Sequence, residues 1–445
     1  MSRKKTPVLV MAFICALGLG FPGADGSHKV SAQSSESYAI RNARIVTVTG
    51  PVIENGTVVI TAGKIAAVGA DVSVPPGAKM IDAKGLSVYP GMMDADTEIG
   101  LTEIGSVAGS VDTNEIGDNN ANIHVDVAIR PDSSHIAVTR VNGITSALTA
   151  PRGGMIAGQS AIINLDGWTA QEMILKSPVA MHINWPGAGG GRGFGGEFGP
   201  GGPQRSVTEL RREQEKQIES LKKILRDAAA YGDAKDARAK DASLPKQDVD
   251  LKLEALIPVV RGLIPVVINV NMERDIKSAI AFVGEMKLKG IISGGIEAYK
   301  VADQLKARNI PVIVGPVLRV PVKEDDPYDA PFANAGLLAK AGVKIAFQTN
   351  DSAYSRNLPY HAGMAAAFGL AKEEALRAVT INPAEIFGVS DRLGSIEKGK
   401  IANLIVTDGD PLEIRTQIKH VFINGRDIPL TSRHTELYEK YKARP

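Results

Sequence analysis

An α/β barrel with a small β domain drawn from both chain ends is the fold class that three observations predict. Short apolar runs alternate with amphipathic helical stretches across about 300 central residues, paired β-type runs stand at both ends, and no dinucleotide-type glycine fingerprint follows the first central run. At 445 residues the chain is long enough for one large domain with an appendage. With 44% hydrophobic and 22% charged residues it can bury a sizeable core, which excludes disorder, collagen-like and coiled-coil readings.

The first 32 residues read as an export leader. Arg3, Lys4 and Lys5 precede the apolar run 7–21, and Val30-Ser31-Ala32 has the small-x-small pattern of a cleavage site. The run is shorter than the ~20 apolar residues that span a bilayer, so the membrane matters only during export, to a periplasmic or extracellular location. Cleavage removes Cys15, Arg3, Lys4, Lys5, Lys29 and Asp25, leaving 47 basic and 48 acidic residues and no cysteine. That excludes disulfides, thiolate nucleophiles and thiolate-bound zinc. The even charge gives no basic field for nucleic acid.

Between residues 38 and 89, Ala43-Arg-Ile-Val-Thr-Val, Gly56-Thr-Val-Val-Ile and Lys64-Ile-Ala-Ala-Val-Gly read as strands with Asn55-Gly56 and Ala62-Gly63 as turns. A matching pair, Ala402-Asn-Leu-Ile-Val-Thr and Ile418-Lys-His-Val-Phe-Ile-Asn-Gly425, lies near the other end. Residues 38–88 and 391–430 thus form a composite β domain, predicted as a sandwich, around a barrel at 89–390. Eight barrel strands are expected at 87–95, 143–148, 161–165, 179–184, 265–270, 290–292, 311–314 and 343–347. An insertion at 186–243 interrupts them: a Gly-rich run to residue 203, read as a flexible loop although Gly191-Arg-Gly-Phe-Gly-Gly196 matches G-x-G-x-x-G, then a charge-rich helix predicted as an exposed lid or rim.

Gly63-Lys-Ile-Ala-Ala-Val-Gly69, Tyr89-Pro-Gly-Met-Met-Asp-Ala-Asp-Thr-Glu98, Asn142-Gly-Ile-Thr145, Glu374-Ala-Leu-Arg-Ala-Val-Thr-Ile-Asn-Pro-Ala384 and Gly394-Ser-Ile-Glu-Lys-Gly-Lys-Ile-Ala-Asn-Leu404 occur in that order. Together they resemble the amidohydrolase superfamily, in particular its imidazolonepropionase-like and prolidase-like exported members. The resemblance implies a distorted (β/α)₈ barrel, hydrolysis of a C–N bond in a cyclic amide, imide or dipeptide-like small molecule, and a His-x-His pair ending the first barrel strand. Here that pair is Asp96 and Glu98. Asn269 stands where a strand-five His is expected, Ser293 or Gly294 where a strand-six His is expected, and Thr349 is followed by Asn350 and then Asp351 at the strand-eight acid.

Three outcomes fit two carboxylates so close together, which cannot comfortably both ionise alone. Asp96, Glu98 and Asn269 could hold a hard divalent cation such as Mg, Mn or Ca, or zinc. The two carboxyls could act as a metal-free acid/base pair. Or they could meet Arg130, Arg152 or Arg356 in ion pairs. Asp351, His182 at the end of the fourth strand and Arg356 are the expected catalytic groups, with Glu297, Asn271 and His361 expected to bind substrate. A silent barrel that binds a ligand or partner in the cell envelope is the competing reading, and a homo-oligomer is expected in either.

Overall fold

The structure, a computed structural model, describes residues 36–187 and 206–444. The export leader at 1–32 and nearly all of the Gly-rich loop lie outside the described residues.

Strands β1 (Tyr38–Ile45), β2 (Ile53–Thr61), β3 (Lys64–Gly69), β4 (Lys79–Asp82) and β5 (Ser87–Pro90) open the chain. The central strands are β6 (Met92–Thr97), β7 (Ile144–Thr149), β8 (Ile156–Gln159), β9 (Ala161–Asn164), β10 (Ile174–Lys176), β11 (Met181–Asn184), β12 (Val266–Val270), β13 (Gly290–Gly294), β14 (Val312–Val314) and β15 (Ile345–Phe347). The chain closes with β16 (Leu404–Thr407), β17 (Ile418–Ile423) and β18 (Arg426–Ile428).

Hydrogen bonding joins the first five and last three strands into a single eight-stranded sheet, ordered β18-β17-β16-β5-β1-β2-β3 with β4 on β1; the sandwich predicted from the sequence is, in its pairing, one sheet. Alternating apolar residues explain its stability: Ile40, Ile60, Ile65, Val88, Leu404 and Phe422 pack as one cluster from both ends of the chain. The β2–β3 turn, Ala62 and Gly63, has positive φ at both residues, the geometry that matches strand twist. Gly63 also accepts from the Ala402 amide at 2.9 Å. Gly425 crosses so close that a Cβ on it would lie 2.7 Å from the Gly63 Cα, so only glycine fits.

The central strands form a four-stranded sheet, β10-β9-β7-β6, and a six-stranded sheet, β15-β14-β13-β12-β11-β8. β6 and β7 run parallel, as do β11 to β15. Backbone bonds knit the sheets at two seams, Asn350 N to Asp96 O (3.0 Å) and Ser160 N to Ala180 O (3.0 Å). Met93, Leu148, Ile162, Val267, Ile313 and Ala346, each from a different strand, share one inner cluster.

Two predicted strands behave differently. The 87–95 run splits at Gly91 into β5, which joins the terminal sheet, and β6, which enters the central one; a Cβ on Gly91 would lie 2.3 Å from the Thr145 side chain. The 161–165 run is β9, antiparallel to β7. Too few residues separate the two for the crossover that a parallel partner needs.

The charge-rich insertion is one helix, Val207–Lys240, opened by a Ser206/Glu209 capping box. It is not a free lid. Leu221, Leu225 and Ala228 are buried on it, it packs along the helix Leu251–Val260, and Lys222 pairs with Glu285 at 2.7 Å. Gln214 anchors its first half by donating to the Pro186 carbonyl (2.6 Å) and to Asp275 (2.9 Å).

Candidate functional site

The C-terminal ends of the central strands bring Asp96, Glu98, Arg152, His182, Asn269 and Ser293 to one region. Asn184, Asn269 and Ser293 are register partners across β11, β12 and β13, so they stand side by side at the same level. His182, two residues before Asn184, shares its face one level deeper. The pairing of β6 with β7 shifts between Asp94 and Thr97, and a shifted register re-aims side chains.

The Arg152 guanidinium spans both carboxylates. Nη1 lies 2.7 Å from Asp96 Oδ1, a charge contact rather than an aligned hydrogen bond, and Nε donates to Glu98 Oε1 at 3.2 Å. Ser293 Oγ donates to the other Asp96 oxygen at 3.0 Å and is also within 2.8 Å of Gln348 Oε1. Thr102 donates to Glu98 Oε2 at 3.3 Å. Asp96 is 1% and Arg152 17% exposed at the side chain, so the pair is largely withdrawn from screening water. Burial pulls the Arg152 pKa down, but Asp96 and Glu98 outweigh it and hold the pKa above its ordinary value.

A divalent cation, which the resemblance implies, does not fit these residues. The charge of Asp96 and Glu98 is already engaged by a guanidinium, and an added ion would stand against that buried cation. Among the described residues no three His, Cys, Asp or Glu side chains are grouped to hold a metal ion. Of the three expected metal-holding residues, Asp96 and Glu98 meet Arg152, while Asn269 is exposed and its amide points at Asn184 Oδ1, 3.4 Å away.

Two buried polar atoms here have no partner: His182 Nε2 and Arg152 Nη2. Burial, more than the opposing influences of Asp96 and Arg152, lowers the His182 pKa to about 4, so its imidazole is neutral near pH 7. A neutral ring nitrogen and a guanidinium N–H left unpaired in a buried setting are the groups that a polar ligand would satisfy.

Asp94, two residues before Asp96, is a buried carboxyl the sequence reading passed over. Burial pushes its pKa up to about 7, against hydrogen bonds from the Thr349 hydroxyl and from the Thr349 (3.2 Å) and Asp96 (3.3 Å) amides. The spacing Asp94-Ala-Asp96 was the available signal. Gln348, just past β15, was equally missed.

The other expected residues sit elsewhere. The Asp351 carboxylate caps a turn by accepting from the Tyr354 amide (2.8 Å), and its carbonyl accepts from Thr97 Oγ1 (2.6 Å). Arg356 donates to the Ala353 carbonyl and lies 5.4 Å over the Tyr354 ring, away from Asp96 and Glu98. Glu297 is buried in an ion-pair cluster with Lys300 (2.8 Å) and Lys323, and accepts from the Glu273 amide (2.8 Å). Burial opposes ionisation there, yet these donors hold its pKa at about 2. Asn271 accepts the Glu297 amide on its carbonyl, at 2.9 Å. His361 Nδ1 accepts from the Val317 (2.8 Å) and Leu318 (3.3 Å) amides, fixing the loop after β14, and burial lowers its pKa to about 4. The Glu297 and His361 side chains therefore spend their polar groups on the fold around the site, and Asn271 contributes its backbone carbonyl to it.

A sequence model of the amidohydrolase family matches residues 331–428. Over 393 residues the chain is 23% identical to amidohydrolase tasK of Hapsidospora irregularis, covering 79% of this chain and 37% of that protein. Over 96 residues it is 38% identical to an imidazolonepropionase of Flavobacterium johnsoniae, covering 21% of this chain and 23% of that one. The chain thus spans well under half the length of the curated relatives it matches. The crystal structure of an amidohydrolase from Thermotoga maritima superposes with a TM-score of 0.76 at 26% identity, covering 89% of this chain and 100% of the other.

Proposed function

The chain belongs to the amidohydrolase superfamily, and from that premise we propose that it hydrolyses a C–N bond in a small amide-bearing molecule, of cyclic amide, imide or dipeptide-like type, at the strand ends around Arg152 and His182. The observation that carries this reading is the unpartnered pair of buried atoms, Arg152 Nη2 and His182 Nε2. The carbonyl oxygen accepts from Arg152 Nη2, which stabilises the charge that develops on it. Neutral His182 takes a proton from water as the hydroxide adds to the carbonyl carbon, then returns it to the nitrogen as the C–N bond breaks. Superfamily members usually use divalent metals; no step here is routed through one, because the residues present do not fit an ion. We read the two central sheets as a distorted barrel, supported by the shared inner cluster, and the protein as exported, supported by the leader-like residues 1–32.

A second reading, binding without turnover, rests on a specific observation. Both Asp96 oxygens are occupied, and His182 at about pKa 4 lies well below the value that suits a general base at neutral pH. The test is amine release from a panel of cyclic amides and dipeptides by the whole protein and by His182→Asn, with binding followed by ligand-observed NMR. Turnover that falls about 100-fold or more in the variant, the usual loss with a general base, supports hydrolysis. Saturable binding without release in the unaltered protein establishes the second reading instead.

A further inference from the structure

We propose that Arg152 is a built-in substitute for a divalent cation: the chain supplies its own counter-charge to Asp96 and Glu98 and takes up no divalent ion at its strand ends. This holds whether or not the site turns a substrate over.

The guanidinium has the chemistry for the place. It stays charged at all working pH values, and its planar fork offers separate N–H groups to separate carboxylates. Nη1 faces Asp96 and Nε faces Glu98, so one side chain reaches the two positions that otherwise share an ion. Ser293 occupies the remaining Asp96 oxygen. An incoming ion would have to displace both partners.

The loop is shaped to deliver that side chain. The Arg152 amide donates to the Thr113 carbonyl at 2.8 Å, and Asn184 Nδ2 donates to the carbonyls of Arg152 (2.6 Å) and Gly154 (2.8 Å). Gly154 has φ +74°, and a Cβ there would lie 2.6 Å from the Gly117 carbonyl oxygen, so the turn after Arg152 requires glycine. A surface arginine that merely drifted near two acids would need no such fixing.

Loss of the guanidinium would leave two carboxylates with no counter-charge, a set of oxygen donors suited to a hard ion. The experiment is metal analysis of the full chain purified without chelator and dialysed against Mn²⁺, then against buffer, together with Tm in Mn²⁺ and in EDTA, for the unaltered protein, Asp96→Asn, Arg152→Met and the double variant. The expected result is no stoichiometric metal and an unchanged Tm in the unaltered protein. Arg152→Met is expected to gain a Mn²⁺-dependent rise in Tm of several degrees, roughly what saturating ligand gives by linkage, and the double variant to lose it. Stoichiometric metal in the unaltered protein that Asp96→Asn removes overturns the proposal, as does a folded Arg152→Met that ignores Mn²⁺. Should Arg152→Met fail to fold, the first two proteins decide alone.

Discussion

Asn184 ends strand β11 by donating its side-chain amide to the carbonyl of Arg152, 2.6 Å away. A neutral strand-end residue thereby fixes the backbone that carries the site's cation, and a second bond to Gly154 makes the hold two-pronged. Asn184→Ala leaves two loop carbonyls without their donor, and each lost bond costs about 0.5–1.5 kcal/mol. Urea unfolding is expected to show a loss of about 1–3 kcal/mol on that basis, with weaker ligand binding at the strand ends than the stability loss explains. Unchanged stability would mean that water replaces the amide freely.

Ser293 joins Asp96 to Gln348 and is 2% exposed. Ser293→Ala removes a buried hydroxyl and leaves an Asp96 oxygen short of a donor, at a cost of about 1–3 kcal/mol. Ser293→Thr keeps the hydroxyl and is expected to recover most of that loss. Chemical denaturation of the two variants side by side makes the comparison.

Stability should depend on pH through groups of opposite sign. His182 and His361, with folded pKa values lowered to about 4, are protonated more readily unfolded, so their contribution is full above pH 6.5 and is lost as pH falls toward 4. Asp94, raised to about 7, is protonated more readily folded, so its contribution is full below about pH 4 and is lost as pH rises toward 7. Two histidines against one carboxyl give a net rise in stability between pH 5 and 6.5. Asp94→Asn should steepen that rise and His361→Asn should flatten it, each by up to about 1.4 kcal/mol per pH unit, the slope of one proton. Denaturant unfolding at pH 5.0, 5.75 and 6.5 reads both.

Leu225 is fully buried on the insertion helix Val207–Lys240. As part of the core, Leu225→Ala should cost about 2–5 kcal/mol; on a lid that only visits the protein, it would cost little. Thermal unfolding distinguishes the two.

Much of the fold was legible because its signals are local. The short β-type run Lys64-Ile-Ala-Ala-Val-Gly beside the Ala62-Gly63 turn and the helical spacing at Leu221 and Leu225 are read within a few residues. Gly91 was harder: it splits one apolar run between two sheets because the Thr145 side chain approaches closely from β7, a contact between distant residues. β9 was misassigned for the same kind of reason, since direction along a sheet is not encoded in an apolar run. At the site, Asp96, Glu98 and His182 were readable from strand ends. Arg152 was one of three arginines equally open in the sequence, and the choice among them depended on Asn184 and Thr113 holding its loop. Glu297 and His361 looked functional because they follow strands, yet Lys300 and Lys323 engage one and the Val317 and Leu318 amides the other.

Arg152 and Asp96 act as one buried unit, and a double-mutant cycle on Arg152→Met and Asp96→Asn measures their coupling. Arg152→Met strands buried Asp96 and should cost about 3–5 kcal/mol, whereas Asp96→Asn leaves Arg152 its bond to Glu98 and should cost less. The double change should cost at least about 2 kcal/mol less than the two added together, within the range seen for residues in contact. Additive losses would mean that neither charge depends on the other and that the two do not form a unit.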